Sequence, residues 1–288
     1  MDSKRGGLGK AMEDQIVLGA EQVHRFRGTV YGYYRDRARA LPWRKTNDPY
    51  KILISEVMLQ QTQVARVIGK YEGFIRAFPD IESLARASLH QILTVWQGLG
   101  YNRRALALKR AAQIVVAHYG GRIPSSIESL KALPGIGSVT AHAICAFAFN
   151  EPTVFIETNI RTVFIHHFFE NASDINDKEI LPLVARTLDH ANPRIWYYAL
   201  MDYGVALKKR HGNPSRRSAR YRRQSPFEGS NRQIRGMILQ TLLETSGLSE
   251  DMLVKRLPFG AEAVRWSLKQ LEKDGLTLKR GDHISIAQ

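Results

Sequence analysis

Cysteine is nearly missing from the sequence: Cys145 is the only one in 288 residues. A single thiol excludes disulfides within the chain and metal clusters held by cysteines. Cys145 sits in the apolar run AICAFAF, which predicts a buried structural thiol. Long hydrophobic runs are missing too. No stretch approaches the ~20 apolar residues that cross a bilayer, and the N-terminus MDSKRGGLGKAMEDQ lacks the apolar core of a signal peptide. Acidic residues are scarce, with 27 Asp and Glu against 42 Lys and Arg, for a net charge of +15. That excess favours a polyanionic partner, nucleic acid first, over an acidic small substrate, although a basic enzyme of another kind has the same composition. The expected setting is the cytoplasm, with the chromosome. Hydrophobic residues make up 44% of the chain, enough to fill the core of one large domain, or of one domain and a small module.

What is present organises into helices. Apolar residues recur at three- and four-residue steps through ILISEVMLQQTQVARVIGKYEGFI, SLHQILTVW and RALALKRAAQIVVAHY, with PD, GLG and GG-R-IP as turn signals. A mainly α fold is predicted. Leu133 to Thr140, LPGIGSVT, joins the short helical segment SIESLKA to the apolar helix TAHAICAFAF. Two glycines a residue apart make a tight hairpin, and the N–H groups that open the second helix then point outward. Such a turn binds phosphate oxygens, because no Cβ blocks the approach and the helix dipole favours an anion. It serves equally as a plain structural turn.

Lys208 to Arg223, KKRHGNPSRRSARYRR, carries eight Lys and Arg and no acid. This is the composition of a phosphate-tracking arm or of a solvated linker. Beyond it, RQIRGMILQTLLE, SEDMLVKRL and AEAVRWSLKQLEKDG predict three helices, and LTLKRGDHISIA alternates like a two-stranded ribbon around a Gly-Asp turn. Three helices and a hairpin resemble a winged helix, a module that acts as a second DNA or partner contact or as a docking piece.

Two carboxylates stand apart by their neighbours. Glu56 lies among Ile54, Val57, Met58 and Leu59, whose burial sets it facing a cavity or a helix end. A carboxyl pressed against an apolar wall has its charged form disfavoured, as a general acid requires. Glu157, in VFIETNIRTV, follows Val139 by 18 residues with one apolar helix between, enough to return the chain toward the hairpin end. One protonated acid and one ionised carboxylate flanking a glycosidic carbon can expel a leaving group and stabilise an oxocarbenium-like transition state. On spacing alone, Glu56 also fits a helix-start acid, and Glu157 an N-cap or an ion-pair partner of Arg161. His166, His167, His190 and His211 show no metal-ligand spacing.

From LPWRKTNDPYKILISEVMLQQTQVARVIGKYEGFIRAFP through WQGLGYNRRALALKRAA, LPGIGSVTAHAI, FIETNIRTV and YALMDYGVALKK, the chain resembles the MutY-like adenine DNA glycosylases of the helix-hairpin-helix (HhH-GPD) superfamily. The resemblance spans about residues 25 to 210, with its motifs in order and correctly spaced. It implies a two-lobed α-helical fold that binds double-stranded DNA and flips a mismatched or damaged base into a pocket, since the sugar carbon is out of reach inside a stacked duplex. Carried over by residue, Glu56 matches the acid that protonates the departing purine and positions water. Glu157 matches the carboxylate beside the sugar, and Asn159 the asparagine supporting the pair. Trp43 and Arg44 match residues near the pocket entrance, where Val139 and Tyr198 also fall. Gln61 matches the wedge that fills the space left by the flipped base. Gly135, Gly137 and Ser138 match the hairpin backbone on phosphate. Asn102, Thr140, Arg161, Arg216, Arg217, Arg222 and Arg223 complete the expected DNA-contacting set. The resemblance also admits a monovalent cation at the hairpin carbonyls.

The departures are specific. Glu157 stands in place of the superfamily aspartate, one methylene longer, and a shift of ~1 Å at a reacting group can cost on the order of 10²-fold in rate. Val139 stands where bifunctional relatives carry a Schiff-base lysine, so base removal without strand cleavage is expected. The four iron–sulfur cysteines fall on Lys208, Ser215, Ser218 and Gln224, so no cluster and no other cofactor is expected. Tyr198 replaces the Gln or Glu that reads the purine edge, Asn102 replaces the second tyrosine of GLGYY, and no 8-oxoguanine-reading domain is recognisable. The expected organisation is a tail at 1–14, a glycosylase domain at 15–223 and a winged-helix-like domain at 224–288, acting as a monomer. Adenine opposite 8-oxoguanine or guanine is the first substrate expectation. The alternatives are a thymine or uracil glycosylase acting opposite guanine, and a catalytically weak binder of distorted duplex.

Overall fold

The computed structural model describes residues 16–223 and 225–287. The expected tail at 1–14 and Gln224, the fourth cluster position, lie outside the described residues. In chain order come α1 (Ala20–Arg37), α2 (Pro49–Leu59), α3 (Val64–Ala77), α4 (Ile81–Arg86), α5 (Leu89–Trp96), α6 (Arg103–Tyr119) and α7 (Ile127–Lys131). They continue with α8 (Ser138–Phe149), α9 (Thr158–Phe168), α10 (Asp177–Thr187) and α11 (Pro193–Arg210). After these come α12 (Asn231–Glu244), α13 (Glu250–Arg256) and α14 (Ala261–Lys273), then a hairpin of β1 (Thr277–Arg280) and β2 (His283–Ile286). No helix among the described residues is long and apolar enough to cross a membrane.

The helices form two compact units. The first comprises the described residues through Ala38, Ile156–Asp189 and Trp196–Tyr221. Its core is aromatic: Phe26 of α1 meets Phe164, Phe168 and Trp196 with ring centroids 5.4, 5.0 and 5.9 Å away, in tilted or edge-on geometries that suit the ring quadrupoles. Arg27 donates from Nε to the Thr187 carbonyl at 2.9 Å, and Tyr31 donates to Asp189 at 2.6 Å. The first of these satisfies a carbonyl that the end of α10 leaves without an intrahelical partner.

The second unit comprises Arg39–Phe155, His190–Ile195 and the described residues from Arg222 onward. Helix α2 starts cleanly because Pro49 fixes the first turn and Asp48 accepts from Tyr50 N at 2.9 Å. It buries Ile52, Leu53, Ile54, Ser55, Val57 and Met58, nearly its whole circumference. The apolar periodicity of ILISEVMLQQTQVARVIGKYEGFI breaks after Leu59, and Gln61 takes a left-handed backbone at φ 53°. Helix α8 is equally enclosed, and burial pushes the Cys145 thiol up to about 11.

The C-terminal part of this unit has the expected order of three helices and a ribbon. Val264, Leu268 and Leu271 form the buried face of α14, and β1 pairs antiparallel with β2 from Thr277↔Ile286 to Arg280↔His283, turning at Gly281 and Asp282. Arg235 of α12 and Arg103 of α6 converge on Asp274 at 2.5 and 3.6 Å.

Candidate functional site

Glu157 is the N-cap of α9. The chain arrives extended (φ −113°, ψ 177°), and Oε1 accepts from Asn159 N at 2.7 Å and Ile160 N at 2.9 Å. Oε2 accepts from Asn159 Nδ2 at 3.2 Å. Two backbone donors at the start of the helix thus hold the carboxylate in place. Asn159 is held from its other side: Lys208 Nζ donates to Oδ1 at 2.8 Å. Burial pulls the Lys208 ammonium below the usual lysine range, against the opposing pull of the Glu157 carboxylate. Gly204, one turn earlier on α11, lets the two segments approach, since a Cβ there would lie 2.9 Å from Asn159 Cβ and collide with the Asn159 carbonyl.

Arg161 does not pair with Glu157. Its Nε and Nη2 grip Asp177 at 2.7 and 2.9 Å, with both side chains about 15% exposed, at 15% and 14%. Arg220 joins the same carboxylate at 3.5 Å. This bidentate pair engages Arg161 inside the unit.

In the second unit Glu56 lies in the last turn of α2, half-buried among fully buried neighbours, so it is not a helix-start acid. Just beyond it the chain is pinned. Arg104 Nη1 donates to the carbonyls of Val57, Met58 and Gln60 at 2.9, 2.9 and 2.6 Å, and Nη2 donates to Thr62 Oγ1 at 2.9 Å. Burial lowers the Arg104 guanidinium to about 10, still charged near neutral pH. Its guanidinium also lies over the rings of Trp96 and Tyr101 at 5.4 and 5.5 Å. Gln60 Nε2 donates to Gly135 O and Thr140 Oγ1, both at 3.1 Å, fastening the Gln60–Gln61 turn to the hairpin.

Exposed Gln61 thus projects from a rigid support. Gly135 has φ 80°, and a Cβ on it would fall 2.8 Å from Ala107 Cβ, so two constraints require glycine there. Gly137 caps α8, no side chain takes its first N–H groups, and Gly137, Ser138 and Val139 are exposed.

The remaining expected residues fall in varied settings. Trp43 is buried edge-on against Tyr71, with centroids 5.5 Å apart, and Arg44 is half-buried beside it. Tyr198 is buried in α11. Val139 is 46% exposed, open to a ligand. Asn102 precedes α6 and, with Gln61, Tyr101, Phe227, Arg232 and Trp266, borders a cleft of about 940 Å³ within the second unit.

The basic segment is mostly structure. Lys208 belongs to α11, and Pro214–Arg217 forms a 3₁₀ turn with Pro214 and Ser215 buried. Arg217 folds back: Nη1 donates to the carbonyls of Phe169 and Glu170, and Nη2 to Ile165 at 3.1 Å. Arg217 is thus engaged with backbone carbonyls, whereas Arg216, Arg222 and Arg223 are exposed. An iron–sulfur cluster does not fit here. Lys208 offers an ammonium already engaged with Asn159, Ser215 a hydroxyl bonded to Asn213 Oδ1 at 2.6 Å, and Ser218 a buried hydroxyl, and none of these is a thiolate. Among the described residues no three His, Cys, Asp or Glu side chains are grouped to hold a metal.

Sequence reasoning missed Gln60, Arg104, Gly204 and the inward turn of Lys208. A glycine inside a helical pattern was the one available signal, because it marks close approach of another segment.

The model of the HhH-GPD superfamily base excision DNA repair proteins matches residues 54–184. The adenine DNA glycosylase of Buchnera aphidicola subsp. Baizongia pistaciae is 38% identical over 187 residues, covering 63% of this chain and 52% of that protein. The adenine DNA glycosylase of Mycolicibacterium smegmatis is 32% identical over 235 residues, covering 75% of this chain and 80% of that protein. Among solved structures, a thermostable thymine-DNA glycosylase superposes with a TM-score of 0.59 at 28% identity, over 64% of this chain and 87% of that one. The chain spans about half the length of the Buchnera protein.

Proposed function

We propose that this chain, which belongs to the adenine DNA glycosylase family of the HhH-GPD base excision DNA repair proteins, hydrolyses the N-glycosidic bond of adenine mispaired with 8-oxoguanine or guanine in double-stranded DNA. The supporting observation is the Glu157 carboxylate, held at the start of α9 with one oxygen on the helix and the other on Asn159. In this proposal Glu56 delivers a proton to the departing purine as the C1′–N bond breaks and its electron pair leaves with the base. Glu157 stabilises the cationic sugar. Water then adds at C1′ and returns a proton to Glu56, leaving free adenine and an abasic site. No amine stands at Val139, so the sugar–phosphate backbone stays intact.

The hairpin from Gly135 to Ser138 grips a phosphate with its open N–H groups, and Gln61 fills the gap left by the extruded base. The cleft bordered by Gln61, Asn102 and Trp266 gives the C-terminal module a place against the duplex. The proposal has a monomer acting beside the chromosome with no cofactor.

Single-turnover base release from duplexes carrying A, T, U or hypoxanthine opposite G or 8-oxoguanine tests this. Adenine opposite 8-oxoguanine should leave fastest, and Glu56→Gln and Glu157→Gln should each slow release on the order of 10²-fold or more. Faster release of thymine or uracil would replace the substrate. No release from any duplex would leave only binding to distorted DNA, and strand breaks without added alkali would contradict hydrolysis.

A further inference from the structure

The last turn of α11 carries three cations, Lys208, Lys209 and Arg210, of which the last two are exposed and Lys208 alone turns inward. Its ammonium reaches Glu157 through one amide: Lys208 Nζ donates to Asn159 Oδ1 at 2.8 Å, and Asn159 Nδ2 donates to Glu157 Oε2 at 3.2 Å. An asparagine amide is nearly symmetric in shape and can turn over, presenting its oxygen to a carboxylate in place of its N–H. A lysine prevents this, because an ammonium has three donors and no acceptor and pairs only with Oδ1. Gly204, four residues before Lys208 and on the same face of α11, brings the Asn159 backbone close enough for the lysine to reach.

We infer that Lys208 is a positioning residue for the glycosylase reaction: by fixing the orientation of the Asn159 amide, it holds the carboxylate of the longer Glu157 side chain where the sugar needs it. The inference rests on the proposed glycosylase activity. It accounts for a half-buried lysine whose ammonium gives up hydration to face an amide oxygen. It also gives Lys208 a task that the rest of the basic segment does not share.

The test uses five full-length proteins: wild type, Lys208→Met, Lys208→Arg, Asn159→Ala and the double variant Lys208→Met/Asn159→Ala. Single-turnover release of adenine opposite 8-oxoguanine, duplex affinity and urea unfolding are measured for each. Lys208→Met should slow release by roughly 10- to 100-fold, the cost of a misplaced reacting group, with duplex affinity within about twofold. Lys208→Arg, which keeps the donors, should recover most of the rate. The double variant should be no slower than Asn159→Ala alone, since a residue acting through Asn159 has nothing left to act on. A Lys208→Met rate at or above wild type overturns the inference, as does a slowing that multiplies with that of Asn159→Ala.

If wild type releases no base, the activity proposal fails, and the unfolding data still decide the Lys208–Asn159 link. A double-variant midpoint equal to that of the weaker single variant supports it. Additive midpoint shifts overturn it.

Discussion

Replacing Arg217 with methionine separates a structural staple from a phosphate contact. Methionine keeps an aliphatic stem and removes every donor. Of the carbonyls that lose a partner, those of Glu170 and Ala172 belong to exposed residues and can take water. The Ile165 carbonyl keeps the Phe169 N–H at 3.3 Å. The carbonyl of buried Phe169 is left orphaned, at ~1–3 kcal/mol, and the charge-assisted bond to Ile165 is lost as well, for a total of roughly 2–4 kcal/mol. In a protein of this size each 1 kcal/mol moves Tm by about 2–4 °C, so a fall of about 5–15 °C is expected. The assay is thermal unfolding followed by circular dichroism, paired with duplex affinity at 25 °C across a salt series. A phosphate contact behaves otherwise: its loss takes roughly 0.9 from the slope of log affinity against log salt and leaves Tm nearly unchanged. Arg217→Met with a wild-type Tm and a slope lower by about one would refute the staple.

Truncating Arg216, Arg222 and Arg223 together to alanine should do the reverse, flattening the salt slope by up to about one per arginine that meets a phosphate while unfolding stays at the wild-type temperature; a loss confined to one mismatch would instead make these residues lesion readers. Gly204→Ala should lower Tm by several degrees and slow base release at least about tenfold, because overpacking of ~1–3 kcal/mol against Asn159 exceeds the ~1 kcal/mol that alanine gains within a helix. A variant that is both more stable and fully active would show that the close approach is dispensable. Val139→Lys places an amine at an exposed position opening α8, and borohydride present during base release should trap a covalent protein–DNA adduct. An unchanged rate with no adduct would show that position 139 does not face the sugar.

The helices were legible because their apolar spacing matches the helical period, as in Val264, Leu268 and Leu271 of α14. The hairpin was legible because Gly135 needs both its positive φ and its missing Cβ. The break after Leu59 was not, since no proline or glycine marks it. Its cause is Arg104, which arrives from α6 to take the carbonyls at the end of α2 and so fixes the turn that presents Gln61. The basic segment was only partly legible for a related reason. Composition counts guanidinium groups but does not reveal which of them meets an orphaned helix end, and Arg217 is claimed by the carbonyls that close α9. Arg161 was likewise claimed by Asp177, 16 residues away in sequence.

Of the two roles open to Glu157 on sequence grounds, the structure shows the N-cap of α9, and the proposed role beside the sugar would use the same carboxylate. A cap needs an acceptor at the helix N-terminus, and the proposed reaction needs a carboxylate held in a fixed place beside the sugar; the backbone donors that meet the first requirement would serve the second. The Glu157 side chain folds back so that Oε1 reaches both Asn159 N and Ile160 N. A longer side chain has more rotamers to lose, and a cap bond through one oxygen leaves the other free to swing. The Asn159 amide donates to Oε2, and Lys208 donates to the oxygen of that amide. Glu157 and Lys208, far apart in sequence, therefore converge on a single side chain, Asn159. In the proposed reaction Lys208 thus supports Glu157 through Asn159.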